Sequence, residues 1–174
     1  YFTKLDPVLR EIAIIRVGVL SGAKYEVWQH ERIGRQLGMS DALLAAIHEG
    51  PDAAAFSDLE KRVMRFTDDV TKNVRASDAT FAPLAERLSH QEMQELTLTI
   101  GYYMMVCRFL ETFDVDIEDT AVGLDKTPGA DRATSETVSF KRIGLSRLID
   151  GRIGGFVLEG VGAGQHLCFR QCSG

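Results

Sequence analysis

The sequence predicts an all-α protein, a compact bundle of about six helices with a glycine-rich, irregular C-terminal tail. Helix start and stop signals follow one another from Leu5 to about Asp119, and apolar residues recur there at spacings of three and four. Glycine then becomes frequent, and the last 55 residues hold ten of the 16 glycines. Since glycine weakens helices and strands alike, we expect residues 1–119 to form the helical domain and residues 120–174 to lie outside its core.

Capping signals place the helices. Asp6 before Pro7 is typical of a helix N-terminus, and Ser40 has the same role for a short third helix. Glycine ends the first two helices, and Ser57 and Ser89 each precede a glutamate by three residues, as in a capping box. The predicted helices cover residues 7–20, 23–37, 40–48, 57–74, 77–88 and 89–113.

Two of the six helices have unusual sequences. Pro83 makes residues 77–88 either a helix or a helical turn. The last helix is apolar on most of its faces, so it is predicted to be the central core helix and a candidate subunit contact. In the tail, Phe156–Leu158 has a strand-like sequence, but no partner strand is evident.

Composition excludes several function classes. A net charge of −5, without a cluster of Lys and Arg, argues against nucleic-acid binding. The longest uncharged stretch, Leu96 to Cys107, is shorter than the roughly 20 apolar residues of a membrane span. No signal peptide is evident at the start, and three cysteines fit a reducing compartment. We therefore expect a cytoplasmic protein with no nucleic-acid or membrane partner.

The second helix carries the candidate catalytic residues. Glu26 and His30 stand four residues apart and share one helix face. Glu11 approaches them if the first two helices form an antiparallel hairpin. A carboxylate beside an imidazole raises the pKa of the ring and orients it, which suits proton transfer near neutral pH. Two simpler interpretations stay open: an ordinary surface pair of Glu26 with His30, and pairing of Glu11 with Arg10 or Arg16.

The other residues with reactive or aromatic side chains give weaker evidence of a function. Tyr25 and Trp28 are candidates for substrate contact or for packing, and one histidine with two acids is a poor metal pattern, so no metal is predicted. Cys107, on an apolar helix, is interpreted as an inert core residue. The three-residue gap of Cys168 and Cys172 is not that of a redox pair. His48, predicted to interact with its own helix end, and His90 are interpreted as surface residues.

Three segments carry a resemblance to a known family. They read LREIAIIRVGVLSGAKYEVWQHERIGRQLGMSDALLAAI, FSDLEKRVMRFTDDVTKN and LSHQEMQELTLTIGYYMMVCRFLETF. With an acid in the first helix, an aromatic-rich turn and a histidine on the second helix, this region resembles the carboxymuconolactone decarboxylase-like family, which also includes alkyl hydroperoxidase D. The resemblance covers residues 5–119 and implies an all-helical fold and a homo-oligomer, a trimer or a hexamer.

The sequence departs from the peroxidase branch of that family. Glu11 and His30 match the acid and the histidine of that branch, but Ala23 and Glu26 stand at its two Cys-x-x-Cys positions. Tyr25 replaces another histidine. Since disulfide chemistry requires two thiols, the chain is more similar to the cysteine-free, decarboxylase-type branch.

The resemblance implies a decarboxylase or related lyase that acts on a small cyclic carboxylic acid or lactone without a cofactor. In this hypothesis His30, oriented by Glu26 or Glu11, donates the proton, Tyr25 holds a substrate oxygen and Trp28 contacts the substrate. Two alternatives remain: a non-catalytic oligomer that binds a small molecule, and a peroxidase that uses another thiol.

Overall fold

The computed structural model describes residues 3–115, 117, 152–153, 156–159 and 168–171. The chain forms two compact units, Tyr1–Thr112 and Phe113–Gly174. The predicted division at residue 119 rests on composition and remains a prediction. The described part of the first unit is all-α, as predicted, and its six helices are α1 (Pro7–Ser21), α2 (Lys24–Gln36), α3 (Asp41–Glu49), α4 (Asp58–Asn73), α5 (Asp78–Ala85) and α6 (His90–Thr112).

The predicted caps form. The Asp6 carboxylate accepts hydrogen bonds from two backbone N–H groups of α1, and Pro7 occupies the first helical position. Ser57 and Glu60 make a reciprocal capping box at α4, and Ser89 and Glu92 make another before α6. Because these signals are local, the sequence predicts helix ends within one or two residues, apart from α5, which ends three residues early at Ala85.

The centre of the bundle is α1, not α6. Every residue from Glu11 to Gly18 is buried, and α1 contacts α2, α3, α4 and α6. By contrast, α6 buries one face only, and its opposite side leaves Leu98 72% and Met105 47% exposed. The prediction that α6 is the central core helix is therefore wrong, since apolar residues on several faces of a helix do not establish that all of those faces are covered.

Close packing joins α1 and α2 into an antiparallel hairpin. A Cβ atom placed on Gly18 would lie 2.9 Å from Cγ2 of Val27, and one on Gly34 would lie 3.8 Å from Cδ1 of Ile15. These contacts run in opposite directions along the two helices. Gly22, with φ 68°, makes the left-handed turn between them. The hairpin brings the side chains of Glu11 and His30 together.

In the second unit, the described residues include three short strands, β1 (Arg152–Ile153), β2 (Phe156–Glu159) and β3 (Cys168–Gln171). They form an antiparallel sheet in the order β1-β2-β3, with Phe156 opposite Gln171. The strand-like sequence at 156–158 therefore has partners on both sides, which the sequence did not suggest. Sheet pairing is non-local, and neither β1 nor β3 carries a strong strand signal.

Across the described residues, no helix combines the length and the apolar character that a membrane crossing requires.

Candidate active site

Three buried ionisable residues from two helices form the candidate active site. α1 supplies Glu11, and α2 supplies Glu26 from its first turn and His30 from one turn further on. Their exposed fractions are 1%, 4% and 5%. We call these three residues the Glu-His-Glu array. The interpretation of Glu26 and His30 as a surface pair is therefore wrong.

The His30 ring lies between the two carboxylates. Its Nδ1 is 2.6 Å from Oε2 of Glu11, and its Nε2 is 2.8 Å from Oε1 of Glu26. In the protonated ring both N–H groups donate hydrogen bonds to carboxylate oxygens, and charge assistance makes such bonds strong. The array therefore holds an imidazolium between two negative charges.

The electrostatics favour the charged ring. Burial opposes the positive charge of His30, but the hydrogen bonds and charges of Glu11 and Glu26 outweigh it and raise its pKa to about 9. Arg10 adds a cation, with its Nε 3.7 Å from Oε1 of Glu11. With His30 protonated, two cations and two carboxylates meet here. Of the two pairings considered for Glu11 on α1, Arg10 is a neighbour, whereas Arg16 binds Asp68 instead.

A residue of α6 also packs against the array. The Tyr103 ring is buried and meets the His30 ring edge-on, with 4.9 Å between the centroids. Nearby, Cys107 is fully buried, as its core interpretation predicts. Burial, together with the negative charge of Glu26, raises the pKa of the Cys107 thiol to about 12, so this thiol stays protonated near neutral pH. The sequence did not single out Tyr103, because only its contact with the ring marks it.

Tyr25 and Trp28 pack against each other on a half-buried part of α2. Their ring centroids are 5.9 Å apart, and the Arg32 guanidinium lies 4.7 Å over the Trp28 ring. On an α-helix Trp28 lies about 160° around the axis from Glu26. The structure thus brings Glu11, Glu26 and His30 together as predicted, and it places Trp28 on another side of the same helix.

The other histidines lie on the surface. His48, in the last turn of α3, also binds Glu31 of α2, with 2.8 Å between Nε2 and Oε1. His90 is exposed at the start of α6. In the described part of the chain, no group of three or more His, Cys, Asp or Glu side chains is arranged to hold a metal ion. In the array, the two carboxylates bind opposite edges of the His30 ring and do not converge on one point.

The helices and their arrangement define an AhpD-like fold. A crystal structure from Agrobacterium tumefaciens, of a protein of unknown function described as a candidate antioxidant defence protein AhpD, matches 64% of this chain and 77% of its own. The TM-score is 0.61 and the sequence identity is 21%. At this identity the likeness concerns the fold alone.

The sequence of the first helices carries a second likeness. Residues 2–69 match the model of the carboxymuconolactone decarboxylase family, and this range contains the whole Glu-His-Glu array. Over these residues the chain is therefore similar to the carboxymuconolactone decarboxylase family. No curated protein matches the sequence significantly. That family takes its name from a decarboxylase.

Proposed function

We propose that the protein is a decarboxylase or related lyase that acts, without a cofactor, on a small cyclic carboxylic acid or lactone. Acid–base chemistry of His30 with Glu11 and Glu26 would drive the reaction. The observation that supports this most is the buried His30 ring between two carboxylates, with a pKa of about 9. A side chain that holds a proton at neutral pH beside a second proton carrier suits general acid catalysis.

The chemistry requires an electron acceptor and a proton. When the bond between the substrate ring and its carboxylate breaks, CO2 leaves and the electron pair remains on the ring, where a conjugated lactone carbonyl accepts it. A proton from the array then neutralises the enolate, and water returns a proton to the array. No electrons are exchanged with the protein. The assignment of Tyr25 and Trp28 to substrate contact remains a prediction.

A peroxidase is the weaker alternative. Such chemistry needs a thiolate, and Ala23 and Glu26 stand where the peroxidase branch has its cysteine pair. Cys107 is buried, and its raised pKa keeps it in the unreactive thiol form. These observations favour the decarboxylase over the peroxidase.

Turnover of a lactone acid tests the proposal. We expect the protein to release CO2 from carboxymuconolactone, the compound in the family's name, or from a related lactone acid. His30→Gln and Glu11→Gln should each lower kcat by about 100-fold or more, as expected for lost acid–base catalysis. The control is His48→Gln, which changes a surface histidine bound to Glu31 and should keep full activity. Full turnover by His30→Gln would contradict the proposal, and binding of the lactone acids without turnover would favour the non-catalytic alternative.

A further inference from the structure

The Glu-His-Glu array leaves the His30 ring without a nitrogen for the substrate. Both ring nitrogens are engaged, at 2.6 Å by Glu11 and at 2.8 Å by Glu26. A general acid must come within hydrogen-bond reach of the atom that takes its proton. His30 can do so only by giving up one of two charge-assisted bonds in a buried setting, where losing a charged partner is costly.

The two carboxylates differ in what surrounds their second oxygens. Glu11 begins the buried run of α1, and its Oε1 is beside the Arg10 guanidinium at 3.7 Å. Glu26 lies in the first turn of α2, and its Oε1 binds the ring. Among the described residues, none donates a hydrogen bond to Oε2 of Glu26. Unlike Oε1 of Glu11, this oxygen therefore has no ion-pair partner in that part of the chain.

We infer that Glu26 exchanges the proton with the substrate, and that His30 and Glu11 are positioning residues behind it. This assignment rests on the proposed function and changes the role of His30, which holds the charge of Glu26 rather than touching the substrate. The N-terminal end of α2 adds a favourable dipole for a carboxylate at this position.

The protons in the proposed decarboxylation step balance. In the proposed step Glu26 first takes up one proton from water. After CO2 has left, the proton moves from Oε2 of Glu26 to the carbon that holds the electron pair. Glu26 becomes a carboxylate, and the His30 imidazolium at 2.8 Å balances its charge. The net change is one proton from water gained by the substrate and one CO2 lost.

Hydrogen exchange of the two ring protons tests the inference without a substrate. In the full chain, labelled with 15N-histidine and held at pH 6, His30 carries both N–H groups, and His30→Gln assigns their NMR signals. If protons enter and leave the array at Glu26, the Nε2 proton should exchange with water about tenfold faster than the Nδ1 proton, or more, because the latter is enclosed by Glu11.

A substitution at Glu26 adds an independent comparison. Glu26→Gln keeps the size of the side chain but cannot carry a proton, so it should slow exchange at Nε2 towards the rate at Nδ1. Glu31→Gln, on the same helix, is the matched control and should change neither rate. Equal rates at the two nitrogens, or faster exchange at Nδ1, would overturn the inference even if Glu26→Gln failed to fold. If the protein does not turn over lactone acids, the proposed function is contradicted. The exchange rates would still show at which ring nitrogen protons enter and leave the array.

Discussion

At the scale of single residues, the charges of the Glu-His-Glu array are costly to bury. Removing charged groups from water costs several kcal/mol each, and replacing a buried ion pair by apolar residues is often neutral or stabilising. The array nevertheless places Glu11 next to Ile12, Ala13 and Ile14, which are fully buried. A contribution to folding stability is therefore a weak explanation for the buried charges of the array, and a role in proton transfer is a better one.

The raised pKa of His30 predicts how stability depends on pH. The pKa is 6.5 for an ordinary histidine and about 9 in the folded protein, so the folded state binds the proton more tightly. The stabilisation from His30 should be fully present below about pH 6.5 and lost as the pH rises through 9. The expected loss is on the order of 3 kcal/mol in the free energy of unfolding, measured by urea denaturation between pH 6 and 10.

Two variants complete this measurement. His30→Gln should be less stable than the wild type at pH 6, and the difference between the two proteins should shrink towards pH 10. His90→Gln, which changes an exposed histidine at the start of α6, should keep the pH dependence of the wild type. A difference between wild type and His30→Gln that stays constant over this pH range would contradict the raised pKa.

Part of this site could be predicted from the sequence. The spacing of Glu26 and His30 places both on one helix face, and the turn at Gly22 brings Glu11 within reach. The use of both ring nitrogens could not be predicted, because it depends on the rotation of the His30 ring. Tyr103 packs on that ring from α6, and no local pattern connects the two residues.

At the scale of elements, an ion pair fastens α1 to α4. Arg16 donates two hydrogen bonds to Asp68, at 2.6 and 2.9 Å, and a third to the Ile47 carbonyl at the end of α3. Burial alone would raise the pKa of Asp68, but the hydrogen bonds from Arg16 and Lys72 hold it below its usual range. One guanidinium thus connects three helices. Since α1 also carries Glu11, this contact helps to fix the position of the array.

Removing the charge of Asp68 should therefore be costly. Asp68→Asn leaves Arg16 with a neutral partner in a mostly buried position, and we expect it to lower the free energy of unfolding by about 3–5 kcal/mol. The control is Asp52→Asn, because Asp52 pairs with Arg65 while 86% of its side chain is exposed. That pair should contribute less than about 1 kcal/mol. Equal effects of the two substitutions in urea denaturation would show that Arg16 and Asp68 form no special contact.

The helices were easier to predict from sequence than their arrangement. Caps and turn glycines act within a few residues, so α1, α2 and α4 begin and end close to the predicted positions. The burial of a helix depends on how many neighbours cover it, which hydrophobic periodicity does not reveal. For this reason the sequence predicted α6 as the centre of the bundle, although α1 occupies that place. The Arg16–Asp68 contact spans 52 residues and has no local signal either.

At the scale of the whole molecule, the exposed side of α6 needs an explanation. Leu98 and Met105 stand seven residues apart, so they share one face. Both are among the most exposed large apolar residues in the described part of the chain. Contiguous apolar surface of this kind is typical of protein–protein contacts, and the resemblance to the carboxymuconolactone decarboxylase family implies a homo-oligomer.

We therefore expect the α6 face to form the contact between subunits of a trimer or hexamer. Combining Leu98→Glu with Met105→Glu places two charges in that contact, and burying them unpaired is too costly for assembly. Size-exclusion chromatography with light scattering should give an oligomer for the wild type and a monomer for the double variant, with the same helical content by circular dichroism. Leu37→Glu, at the end of α2, is the control and should remain an oligomer. A monomeric wild type, or an oligomer unchanged by the double substitution, would refute the assignment of this face.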